Sequence, residues 1–144
     1  MAKHYRLGLG RRLINALATA TLRLGIAPRG NYLLTTTGRK TGKRHTNPVT
    51  VMENGERFLV APYGPVPWVH NARAAGEITL TRGRKSITHP ITEVGPAVAA
   101  PVLKRYIKKV PVVRPFFDAS KDAPVDAFEV EAARHPVFRL GPAK

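Results

Sequence analysis

The stretch Leu33-Leu34-Thr35-Thr36-Thr37-Gly38-Arg39-Lys40-Thr41-Gly42-Lys43-Arg44-His45-Thr46-Asn47-Pro48 decides how this 144-residue chain is read. An apolar, β-branched segment enters a turn holding two glycines and four cations, and a second β-branched segment, 49–52, leaves it. Glycine lets a backbone take positive φ and come close to a ligand. Arginine and lysine around such exposed N–H groups suit an anion, most simply a phosphate. The turn is therefore expected to join strands over 31–37 and 45–52 and to hold that anion. Two or three charge-assisted bonds, each worth roughly 1.5–3 kcal/mol, would anchor it.

The rest of the chain arranges itself around this hairpin. Glu53-Asn54-Gly55-Glu56 signals a tight turn into a strand over 57–61. Pro62-Tyr63-Gly64-Pro65-Val66-Pro67 is too proline-rich for a regular element. Pro67 and Gly76 bracket a short helix over 68–75. A second hairpin, 77–81 and 86–94, turns at Arg82-Gly83-Arg84-Lys85. Gly95-Pro96 opens a helix over about 97–110, with Pro101 expected in its first turn. Lys104, Arg105, Lys108 and Lys109 form one face of it, and Val102, Leu103, Tyr106 and Ile107 the other. Residues 111–117, apolar and broken by prolines, resemble a lid or pocket wall. Segments 127–132 and 136–140 are expected to close the sheet, and Asn47-Pro48 is expected to interrupt the second strand.

Upstream, Leu9, Leu13, Leu17, Ala20 and Leu24 recur at helical spacing beside Arg11, Arg12 and Arg23, so 9–25 is expected to be a basic amphipathic helix. It would either pack on the core or lie on an anionic bilayer. The fold class expected is α+β, mainly antiparallel. A barrel of about six strands with helical cover, over 31–144, follows an N-terminal helical segment, 1–30.

Charge narrows the partners. The formal net charge is +15, residues 1–52 carry ten Lys/Arg and no acid, and five of the nine acids lie beyond residue 117. That half of the chain should face a phosphorylated or carboxylated cofactor, a lipid surface or nucleic acid. There is no cysteine, hence no disulfide or thiolate site, which fits a reducing cytoplasm. No segment nears the ~20 apolar residues of a membrane span, and no signal peptide is expected.

Catalytic side chains are scarce. Only three residues separate Gly38 from Gly42 and a strand follows the turn, which excludes a Walker-type phosphate loop. No Gly-x-Gly-x-x-Gly follows a strand. The five histidines lack metal-ligand spacing, and no metal is expected. His4, His89 and His135 read as structural, whereas His45 and His70, near the turn and near Trp68, suit polar contacts. Carboxylate pairs and a serine nucleophile are missing. Such a chain suits a reaction carried by a cofactor.

Leu33–Gly42 with Asn47-Pro48 is similar to the signature of the deazaflavin-dependent nitroreductase family. Pro67-Trp68-Val69-His70-Asn71 with Ala74-Ala75-Gly76 resembles that family's next motif, and 135–140 its C-terminal strand. The resemblance, over about 31–140, implies a split β-barrel and hydride transfer from reduced coenzyme F-420, a deazaflavin with a phosphate and a polyglutamate tail. It implies that Arg39, Lys40, Thr41 and Gly42, beside Thr37, bind phosphate and tail, with Lys43, Arg44 and His45 extending the rim. Asn47, Pro48 and Ala61 would line the deazaflavin edge, with Trp68 and Asn71 beside the ring. Family members carry Ser-Lys where Tyr63-Gly64 stands, and tyrosines where Val110, Val113 and Phe116 stand. The apolar replacement implies a lipophilic acceptor such as a quinone or activated alkene, protonated by water, Tyr63 or His70. A homodimer and a peripheral place at the inner membrane face through 9–25 are compatible with this. FMN in place of F-420, a basic lipid-binding barrel and a nucleic-acid module are the alternatives. The last lacks interleaved stacking aromatics, so no nucleic acid is expected.

Overall fold

A computed structural model describes residues 30–144 and, before them, Leu13, Ala16, Leu17, Thr19 and Ala20. Those five are helical, and the rest of the helix expected over 9–25 lies outside the described residues. Six antiparallel strands form a closed barrel: β1 (Asn31–Thr37), β2 (Arg44–Asn54), β3 (Glu56–Val60), β4 (Glu77–Arg82), β5 (Lys85–Glu93) and β6 (Val137–Leu140). Their order around the barrel is β1-β2-β3-β6-β5-β4. Helices α1 (Pro67–Ala75), α2 (Pro96–Lys109) and α3 (Val125–Glu131), with a 3-10 turn over Pro111–Phe116, complete the chain.

Strand alternation divides the core into two layers. Val51, Leu59, Phe138 and Leu140 point into the barrel with Leu34, Ile78 and Leu80. Their neighbours Met52, Phe58, Val60 and Val137 point outward under Ala99, Leu103, Tyr106 and Ile107 of α2. β3 is thus covered on both faces, which is why Phe58–Val60 is continuously apolar. Helix α1 starts on Pro67 and stops at Gly76, whose φ of +73° lets its N–H bond the Ala72 carbonyl at 2.8 Å. Its Trp68, Val69 and Ala72 join the barrel core. Arg73 anchors the exposed side of α1 to Glu93 by two 2.8 Å bonds.

Three expectations need correction. Residues 127–132 are not a strand: Val125–Glu131 is helical, because Phe128 and Glu131, three apart, are the buried positions while Val130 is 74% exposed. Pro101 lies beyond the first turn of α2, where it withholds a hydrogen bond from the exposed Ala97 carbonyl. β2 also runs unbroken through Asn47-Pro48, with Pro48 opposite Leu33 of β1. Its other neighbour, β3, pairs with it only from Val51, so Pro48 sits where that side is an open edge and a missing N–H costs little.

Candidate active site

The open edge and the basic turn adjoin. The β2–β3 ladder stops at Val51–Leu59; continued, its register would set Ala61 against Val49 and Pro62 against Pro48. Instead the Ala61 N–H turns away to the Pro136 carbonyl at 2.8 Å. Asn47 and Pro48, half-buried, therefore face a gap in the barrel wall a few residues from the exposed Thr41–His45.

The turn itself is tightly built. The Gly38 N–H donates to the Lys43 carbonyl at 2.6 Å, and the Gly42 N–H to the Gly38 carbonyl at 2.9 Å. Gly42 has a φ of +72°, which explains its glycine. Gly38 is needed for space: a Cβ there would lie 2.8 Å from the Thr41 hydroxyl and 3.2 Å from the His45 ring. The Thr41 hydroxyl accepts from the Lys43 N–H at 3.3 Å, so it shapes the loop. Alternation separates the threonines: Thr36 points inward with Leu34, its hydroxyl buried and without a partner among the described residues, while Thr37 is exposed.

Helix α1 holds this turn in place. Asn71, 3% exposed, accepts on one oxygen from the Arg39 backbone N–H at 3.2 Å and from Arg39 Nη1 at 2.9 Å. Its contact is with the turn. Trp68 is 6% exposed and packs near Phe138, with ring centroids 6.2 Å apart, so it backs the site from within the core. Lys40, Lys43 and Arg44 make no ion pair among the described residues. This set of exposed cations around a glycine-opened loop fits a polyanionic group.

Beyond the gap, Tyr63 is half-buried with its ring edge against Phe116, centroids 5.0 Å apart. Val110 is half-buried and Val113 fully buried, so the 3-10 turn forms an apolar wall there. His70 is exposed on α1. Burial, reinforced by Tyr63, holds the Tyr106 phenol far above its usual range, which removes it as a proton source.

A cluster around buried Glu131 and His135 that the sequence reading missed fixes the loop carrying Tyr63. Glu131, 1% exposed, accepts from the Ala119 N–H at 2.6 Å and from Arg134 Nη2 at 2.8 Å. Arg134 also pairs with Asp118 at 2.6 Å. His135 Nδ1 bonds the Pro62 carbonyl at 2.7 Å, which makes that nitrogen the protonated one, and its ring stacks on Phe117 at 3.8 Å. Its Nε2 lies 3.6 Å from Glu131 without a hydrogen bond. Burial lowers the His135 pKa below the usual 6.5. Reading 127–132 as a strand had hidden this cluster.

A family model described as F420H(2)-dependent quinone reductase matches residues 14–114. The chain belongs to this family. Its cofactor is coenzyme F-420, and the chain is an F-420-dependent oxidoreductase with the split-barrel fold. Among solved structures, one described as an F420-H2 dependent reductase (FDR-A) is 24% identical, with a TM-score of 0.52, covering 78% of this chain and 94% of that one. A chain described as a domain-swapped dimer is 21% identical, with a TM-score of 0.54 and coverages of 91% and 98%. HutZ, the heme storage protein of Vibrio cholerae, is 11% identical, with a TM-score of 0.56 and coverages of 81% and 83%. At such identities the likeness concerns the fold. No curated protein matches the chain.

Proposed function

We propose that the Gly38–Arg44 turn anchors the phosphate and tail carboxylates of F-420, and that the chain reduces a lipophilic quinone at the gap beside Asn47, Pro48 and Ala61. The observation that carries this is the pinned turn: three cations without ion pairs among the described residues, on a loop that buried Asn71 holds against the barrel mouth. Reduced F-420 supplies a hydride, and with one proton a quinone becomes a hydroquinone while the cofactor is oxidised by two electrons. The protein's part is orientation. The turn fixes one end of the cofactor by charge-assisted bonds, and the barrel edge limits where the other end can lie.

On the acceptor side, Tyr63, Phe116 and Val110 offer an apolar wall that suits a quinone ring better than a nitroimidazole. The Tyr63 hydroxyl or solvent supplies the proton; His70, exposed on α1, serves as a relay to water. The protein works in the cytoplasm, as a homodimer in keeping with its domain-swapped structural neighbour, and meets the inner membrane face through residues 9–25. Among the described residues no helix is long and apolar enough to cross a membrane.

The test is anaerobic reoxidation of reduced F-420, followed by its absorbance, on adding menadione or a 5-nitroimidazole. Menadione should turn over in preference, and Tyr63→Phe should lower kcat with KM little changed. Turnover of the nitroimidazole alone would overturn the acceptor assignment.

A further inference from the structure

The cofactor turn leaves a second concentration of charge unexplained. Six residues along β1 from Thr37, roughly 20 Å at ~3.3 Å per residue, the start of the hairpin meets the C-terminal end of α2. There a cavity of about 800 Å³ is lined by Tyr32, Arg57, Arg82, Arg105, Lys108 and Lys109, with Glu53 the one acid among its lining residues. Five cations against one carboxylate leave it at +4.

Lys108 and Lys109 alone could be read as complements to the helix dipole. That account does not reach Arg57 and Arg82, which come from β3 and β4 into the same space. Both arginines are oriented. The Arg57 guanidinium lies 5.6 Å from the Tyr32 ring centroid and donates from Nη2 to the Tyr32 hydroxyl at 3.2 Å. Arg82 Nη1 donates to the Asn31 carbonyl at 3.1 Å. Among the described residues Arg57 Nε is buried without a hydrogen-bond partner, since Glu53 stands 4.0 Å off. Gly30, at φ +88°, keeps the floor open: a Cβ there would come within 3.3 Å of Lys109 Nζ. The volume exceeds what one phosphate needs, and Val51, Met52 and the Tyr32 ring give it an apolar side.

We propose that this cavity is a second anion site, separate from the cofactor turn, which takes a phosphate monoester or diphosphate joined to an organic group. A ligand with two or more negative charges offsets at least half of the +4, which a single carboxylate does not, and the preset guanidinium groups offer N–H donors to the several oxygens of a phosphate.

The test is titration of the full chain, labelled with nitrogen-15, with pyrophosphate at low salt. The amides of Gly30, Tyr32, Arg57, Arg82 and Lys109 should move together and saturate. The variant Arg105→Gln/Lys108→Gln/Lys109→Gln, altered on an exposed helix face, should bind pyrophosphate there at least tenfold more weakly and F-420 as the wild type does. Lys109→Gln alone should shift binding the same way by a smaller factor. Arg39→Ala/Lys40→Ala should change the cavity's response less than twofold. Two further probes name the source: saturable binding of glycerol 1-phosphate without vesicle pelleting supports a soluble ester. Pelleting with phosphatidic acid vesicles, competed by pyrophosphate and lost in the triple variant, supports a lipid headgroup. Shifts confined to residues 38–45, an unchanged triple variant, or loss of F-420 affinity in that variant would overturn a separate site.

Discussion

Asn71→Ala removes the side chain that pins the basic turn at Arg39. Its oxygen accepts a neutral N–H bond at 3.2 Å and a guanidinium bond at 2.9 Å from Arg39. The first is worth roughly 0.5–1.5 kcal/mol and the second roughly 1.5–3 in a dry site. Arg39 is exposed, so water replaces part of the second and leaves about 1 kcal/mol of it. Together about 1.5–2.5 kcal/mol is lost. If the cofactor needs the pinned turn, it must restore that conformation on binding, and its affinity falls about 10- to 60-fold. The same loss should lower the melting temperature by about 5–8 °C for a domain of this size. F-420 fluorescence titration beside thermal melting reads both. Asn71→Asp separates the two effects: it keeps the acceptor and so the melting temperature, but its charge occupies Arg39 and weakens F-420 binding. A folded Asn71→Ala protein with wild-type affinity for F-420 would refute the pin.

Three other outcomes are expected. Gly38→Ala drives a Cβ to 2.8 Å from the Thr41 hydroxyl and should cost roughly 1–3 kcal/mol, with weaker F-420 binding; chemical denaturation and cofactor titration measure the two. Glu131→Ala takes away the acceptor of the Ala119 N–H and one of the two carboxylates on half-exposed Arg134, which keeps Asp118, and should cost roughly 1–3 kcal/mol in urea unfolding. His135 is held below its usual pKa of 6.5, so the unfolded chain binds more protons than the folded one as pH falls. Stability contributed above 6.5 is then lost progressively below it. A His135→Gln variant should show a flatter stability profile between pH 7 and 5, and an unchanged slope would assign the effect elsewhere.

The barrel and its turn were legible because their signals are local. The apolar and β-branched run along 31–37, alternation along 77–81, glycine at 38, 42 and 76, and proline at 67 each act within a few residues of themselves. What escaped depends on partners far along the chain. The sequence 127–132 alternates apolar and polar residues as a strand does, yet Glu131 finds Ala119 twelve residues back and Arg134 three ahead, partners that the alternation does not show. Asn71 was legible as a site residue but not as the turn's clamp, since its partner lies 32 positions upstream. Trp68 carries the family motif and is spent inside the core. Asn47-Pro48 looked like a break in β2 because a proline's tolerance depends on whether β3 extends beside it, and β3 stops short.

The central claim is that the Gly38–Arg44 turn is the clamp for the cofactor's anionic end. Its most direct test is fluorescence titration of the wild type and of Arg39→Ala/Lys40→Ala with F-420 and with FMN at fixed salt. The account predicts that the wild type prefers F-420 at least tenfold and that the double variant loses that preference while its FMN affinity barely changes. Equal F-420 affinity in the two proteins would contradict it and leave the turn a plain hairpin.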